Sequence, residues 1–151
     1  MRILTYFSLF LIPVTIVLAQ GCGKDKLRTR PSIKVKSANP TDLSDKEPTP
    51  LTVIFTYADK EGDIGGNMWI GKIRLNQQQS STFGRDSFSL DIPQPIVART
   101  DGEIEIRITP ISLQMVETPS QPDTMNIRFA LRDQGGNTSD TIQIGPIILR
   151  H

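Results

Sequence analysis

The sequence predicts an all-β domain, two antiparallel sheets packed face to face as a sandwich of about seven strands. Three observations carry this expectation. From residue 31 onward apolar side chains recur at every second position, the period of a strand with one face on a core and one in water. Turn-forming clusters interrupt these runs at short intervals, among them Asn39-Pro40, Glu61-Gly62-Asp63, Gly65-Gly66, Asp101-Gly102 and Gly135-Gly136-Asn137. No stretch keeps a helical period over three turns.

Three strands are the clearest. Leu51, Val53, Phe55 and Tyr57 share one face, with Thr52, Ile54, Thr56 and Ala58 on the other. Ile104, Ile106 and Ile108 alternate with Glu103, Glu105 and Arg107, and Met125, Ile127, Phe129 and Leu131 alternate with polar or small residues. A slip of one residue would turn each apolar set outward, so the register is well specified. Shorter strands are expected at Ile33 and Val35, at 68–75 with Gly71 as a candidate bulge, at 87–92, and at 141–149, where Gly145-Pro146 marks an edge or a bulge. Segments 37–50 and 76–86 read as polar loops. Trp69 is expected in the core as the aromatic anchor of the third strand; if exposed, it could instead stack on a sugar.

The first residues read as an export signal. Met1-Arg2 gives a positive start, residues 3–19 are mostly apolar, and Ala19-Gln20-Gly21 supplies small residues before Cys22. This exit resembles a bacterial lipobox, in which a small residue precedes a cysteine that receives diacylglycerol. The resemblance implies a signal peptide over 1–21, lipidation of Cys22, and a membrane anchor. Ordinary signal cleavage and a retained membrane helix are the alternatives, the latter at the short limit of about 17 residues and carrying Pro13. Cys22 is the only cysteine, so no internal disulfide can form. Residues 22–30 are polar and without periodicity, a flexible tether to a domain over 31–151. Cys22-Gly23-Lys24-Asp25 is similar to the start of surface-exported lipoproteins of the Bacteroidetes.

Composition excludes several functions. Of 17 basic and 16 acidic residues only Arg2 precedes Cys22, so the processed chain is near neutral and offers no basic patch for nucleic acid. His151, the last residue and expected to be frayed, is the only histidine. Nucleophilic catalysis lacks a base and zinc lacks its ligands. Glu103 and Glu105 lie on a solvated face, so a carboxylate hydrolase is the weakest alternative. The expectation is a non-enzymatic envelope lipoprotein that binds an envelope protein or a glycan, with Trp69 or Tyr57 as the stacking surface in the glycan case.

Three stretches, together spanning about residues 50–149, resemble a family of small lipoproteins of the Bacteroidetes. They are the strand 51–58 running into Asp59-Lys60-Glu61-Gly62-Asp63-Ile64-Gly65, Ile92-Pro93 followed by Asp101-Gly102-Glu103-Ile104-Glu105, and 123–132 leading to Asp133-Gln134-Gly135-Gly136-Asn137-Thr138-Ser139. The resemblance implies an Ig-like sandwich and no particular activity. Asp123-Thr124-Met125 and Asp140-Thr141-Ile142 are also similar to O-glycosylation tripeptides of that phylum.

One constellation points to an ion. Asp59, Glu61 and Asp63 alternate around a glycine, as in a calcium loop, and in an Ig-like strand order Asp133 ends a strand at the same end of the sandwich. Asp133, Asn137 and Asp140 would then approach Asp59, Glu61 and Asp63. Acids gathered this way repel unless Ca²⁺ or hydrogen-bond donors compensate. The alternative is turn chemistry alone, with Asp side chains accepting from nearby amides. Loops 59–67 and 133–140 are the expected contact surface.

Overall fold

The structure, a computed structural model, describes residues 29–76, 86–114 and 121–151. Residues 1–28, including the expected signal segment and Cys22, lie outside them, as do 77–85 and 115–120. Among the described residues the order is β1 (Ser32–Asn39), β2 (Asp42–Ser44), β3 (Leu51–Ala58), β4 (Gly66–Arg74), β5 (Ser87–Ile92), β6 (Asp101–Ile108), the short helix α1 (Pro110–Leu113), β7 (Asp123–Arg132) and β8 (Ile142–Arg150).

The strands form two sheets, β1-β3-β6 and β2-β8-β7-β4-β5, antiparallel except for the β2–β8 pair. The alternation read from the sequence holds along β3, β6 and β7 for the apolar sets; in β1 Ile33 is buried but Val35, beside a register shift, is exposed. Leu51, Val53, Phe55 and Tyr57 of β3 face the core, and so do Met125, Ile127, Phe129 and Leu131 of β7. The rings of Phe55 and Phe129 meet across the gap between the sheets edge to face, with centroids 4.9 Å apart. Gly145-Pro146 marks a bulge, as expected. Two residues of β8 oppose Asn126 alone between the Met125–Ile147 and Ile127–Ile144 pairs, and Gly145 takes φ +133°, a conformation side chains rarely adopt.

Several expectations are corrected. Residues 37–50 are not one loop: they finish β1 and supply β2, whose Leu43 is buried while Asp42 accepts both Arg150 Nε and Nη2, at 2.8 and 2.7 Å. A three-residue strand is too short to show a period. This pairing also holds down the chain end, so His151 is not frayed; its Nδ1 lies 2.9 Å from Asp45 Oδ2. Gly71 is no bulge, because β4 pairs with β7 without a break from Asn67 to Arg74. Trp69 is not in the core. Met68 and Ile70 take the inner face of β4, so Trp69 points outward, 38% exposed, with its ring lying over the space a side chain at Gly71 would need.

The inner face of β4 continues past Ile70 to Lys72 and Arg74, both buried. Arg74 Nη2 pairs with Asp123 Oδ2 at 3.0 Å, and both side chains are wholly enclosed. Lys72 Nζ donates to the carbonyls of Ser112 and Gln114 at the end of α1 (3.0 and 3.3 Å), and burial holds its ammonium below the usual lysine range. A buried pair becomes costly when one partner is removed, since the other charge is then stranded. Arg74→Ala is expected to lower unfolding free energy by about 3–5 kcal/mol. The double change Arg74→Met with Asp123→Leu should recover most of that loss. Urea unfolding measures both, and a double variant no better than the single one would show that the charge pair is not the issue.

Candidate cation site at the acidic pole

The strand period explains why the acids converge. Asp59 follows Tyr57 by two positions on the inner face of β3, and Asp133 follows Leu131 by two on the inner face of β7. Both alternations overrun their strands and place a carboxylate inward at the same end of the sandwich. Asp59 is 3% exposed and Asp133 4%. Asp63 joins them from the turn between β3 and β4, which reverses through Gly62 at φ +69°. One carboxylate oxygen from each of the three lies within 4.8 Å of the others.

The two loops are bolted together by backbone and side-chain bonds. Gln134 N–H donates to the Asp63 carbonyl at 3.1 Å. Asp63 N–H donates to Asp59 Oδ2 at 3.0 Å. In the second loop Asn137 donates from its backbone and its side-chain amide to Asp133 Oδ1 and Oδ2, at 2.7 and 2.9 Å. These donors satisfy only part of the oxygen set. Asp59 Oδ1 and Asp63 Oδ1 are buried with no hydrogen-bond partner. Among the described residues no lysine or arginine forms an ion pair with Asp59, Asp63 or Asp133.

The geometry suits a hard divalent cation. Ca²⁺ holds its oxygens at about 2.4 Å, so two ligands on opposite sides of the ion are at most about 4.8 Å apart, and carboxylates can bind through one oxygen or two. Three carboxylates bring three negative charges, and the orphaned oxygens of Asp59 and Asp63 are free to coordinate. Among the described residues a nitrogen- or sulfur-seeking metal finds no ligand at this pole, since His151 lies near Asp123, at the other one.

The six residues singled out by sequence divide. Asp59, Asp63 and Asp133 form the cluster, and Asn137 orients Asp133 from behind. Glu61 is not brought in: it is exposed, accepts from Thr29 N and Oγ1 at 3.1 and 2.6 Å, and these bonds hold its carboxyl below the usual range. Asp140 is not brought in either, lying at the surface 3.4 Å from Arg30. Thr29 and Arg30, the last residues of the expected tether, thus rest on this pole. Of the two candidate glycosylation tripeptides, 123–125 is enclosed through Asp123, whereas Asp140 and Thr141 are exposed. Sequence reading missed Gln94, whose side chain accepts from Gly65 N–H at 2.7 Å and donates to the Gly62 carbonyl at 2.9 Å. No local pattern marks it, because its partners lie about thirty residues away.

No protein-family model, curated protein or solved structure matches the chain, so its function is read from its own residues.

Burial, then the neighbouring Asp63 and Glu61 carboxylates, push the Asp59 carboxyl above its ordinary value of 3.8, against the lowering effect of the Asp63 N–H bond. A carboxyl raised on folding imposes no cost below its unfolded pKa and its full cost above the folded one. In chelator, stability should therefore fall as pH rises from 3.8 through the raised Asp59 value. Asp59→Asn keeps an oxygen for Asp63 N–H and should flatten that fall. Denaturant titrations of both proteins along the pH range measure the difference; curves that stay parallel would show that Asp59 carries no such penalty.

Proposed function

We propose that the chain is a lipid-anchored envelope module without enzymatic activity, an Ig-like sandwich whose acidic pole takes Ca²⁺ and presents the flanking loops for binding. The observation that carries the binding reading is the trio Asp59, Asp63 and Asp133, with two buried oxygens that have no partner. A strand pairing that gathers three carboxylates costs stability at neutral pH, and positive charge among them offsets that cost. Bound Ca²⁺ would fix loops 59–67 and 133–140 to each other and make that end a rigid contact surface.

The strand order supports the Ig-like part. β8-β7-β4-β5 faces β1-β3-β6, and the first strand divides between the sheets as β1 and β2, the pattern in which G-F-C-C′ opposes A-B-E. The outward Trp69 departs from the antibody-type core, where the tryptophan of the corresponding strand is buried. Export and anchoring are supported by the positive start, the apolar run and the small residues before the lone Cys22. Two or three acyl chains, each contributing about 0.8 kcal/mol per buried CH₂, would hold the domain at a membrane. Against catalysis, Glu103 and Glu105 are engaged by Lys36 and Arg107. A glycan-binding reading keeps one support, the exposed Trp69 ring; Tyr57, at 6% exposure, gives it none.

The cation reading is tested by thermal melting of the full chain in detergent. Ca²⁺ at about 100 times its dissociation constant should add about 2.7 kcal/mol of stability. Asp63→Asn and Asp133→Asn should each remove most of that gain. A midpoint unmoved by millimolar Ca²⁺ would end it. Anchoring is tested separately: cells fed labelled palmitate should mark the parent chain and leave Cys22→Ser unmarked.

A further inference from the structure

The sandwich is open along one side. Among the described residues β6 pairs only with β3 and β5 only with β4, so each sheet presents an unpaired edge. Between these edges runs a furrow of about 420 Å³, within the usual size of a ligand site. Its apolar lining comes from Tyr57, Ile64, Leu90, Ile92, Ile104 and Ile106. Its charged rim is Asp91, Glu103, Glu105 and Arg107, with Lys36 beside Glu103; Lys36 and Arg107 pair with Glu103 and Glu105 across half-exposed contacts weak enough for a ligand's cation to replace, and acids exceed bases by one. Beyond Glu103 the furrow continues past Pro95 to Ile96 and Val97, which are 104% and 69% exposed.

We propose that the furrow is a strand-addition site, which takes an extended peptide of another protein with apolar residues at alternate positions and Lys or Arg between them. The unpaired edge of β6 offers eight residues, about 27 Å of backbone donors and acceptors. A strand laid against it would have its side chains alternate as those of β6 do, one set into the apolar furrow and one toward the acidic rim. Backbone pairing supplies affinity, while the lining and rim select sequence. The rim charge also argues against a second copy as occupant. Another β6 brings Asp101, Glu103 and Glu105 with only Arg107 and the neighbouring Lys36 to offset them, so edge-to-edge pairing adds to the excess of acid. The proposal deepens the binding role assigned above and does not depend on the cation.

The test uses the full chain in detergent, with chelator present, and a fluorescent octapeptide of alternating valine and lysine. Anisotropy should show saturable binding. A peptide of equal composition, with its valines and lysines in separate blocks, should bind at least tenfold more weakly. N-methylation of every second amide should abolish binding in one of the two methylation patterns, the one that blocks the edge facing β6. Glu103→Lys with Glu105→Lys, folded by circular dichroism, should weaken binding at least tenfold, while Arg128→Ala on the other sheet's outer face leaves it unchanged. No saturable binding, equal binding of the block peptide, or indifference to both methylation patterns would overturn the proposal. Sedimentation showing a dimer that Glu105→Lys disperses would overturn it in favour of a second copy. Because chelator is present throughout, failure here leaves the Ca²⁺ reading standing, and an unmoved melting midpoint leaves this one standing.

Discussion

The inward face of each strand is the constraint on which the rest of this structure depends. Two sheets closed over Phe55 and Phe129 enclose every second residue of β3, β6 and β7, whatever its chemistry. Where the alternation reaches the end of a strand, the enclosed residue is often charged. β3 runs from Leu51 to Tyr57 and then to Asp59; β7 begins with Asp123 and leads through Leu131 to Asp133; β4 passes from Met68 and Ile70 to Lys72 and Arg74. Each of these groups gives up water, and the loss has to be balanced by a partner.

The two poles balance it differently. At one, the enclosed charges have opposite sign: Arg74 meets Asp123 directly, with Arg74 Nε and Nη1 and Asp123 Oδ1 left without hydrogen-bond partners, while Lys72 donates to carbonyls at the end of α1. At the other, Asp59, Asp63 and Asp133 share one sign, and the donors that reach them include Asp63 N–H and the two groups of Asn137. Those donors leave two buried oxygens without partners. The contrast in sign is more informative than the presence of acids, which are common on surfaces. The same architectural rule yields an ion pair of opposite charges at one end and, at the other, like charges that a divalent cation would bring together.

Much of this was legible in the sequence because it follows from period and parity. The strands carrying Phe55, Ile106 and Phe129 were placed correctly, and Asp59 and Asp133 were expected at one end. The errors arose where another rule was set above parity. Likeness to antibody-type domains puts Trp69 in the core, although Met68 and Ile70 on either side claim the inward face. Glu61 was grouped with Asp59 and Asp63 because they are close in sequence, yet its hydrogen bonds run to Thr29. Lys72 and Arg74 look like ordinary solvated charges, and only α1 and Asp123, some forty to fifty residues away, make their burial possible. Partners of that kind leave no local signal.

Gln94 joins the acidic pole to the open side of the sandwich. Its side chain holds Gly62 and Gly65, the glycines flanking Asp63 in the turn, while Pro93 and Pro95 on either side of it line the furrow. Asp59 N–H also donates to the Thr100 carbonyl at 2.7 Å, so segment 93–100 is held to the turn at both ends. A cation that ordered the turn would therefore order the furrow wall as well. The converse follows from linkage: a peptide that draws the wall into one position favours the turn geometry that best holds the ion. The size of the coupling depends on how much freedom the segment has when neither ligand is bound, and its fastening by a single glutamine side chain and one backbone bond points to a modest, reciprocal effect rather than an all-or-none switch.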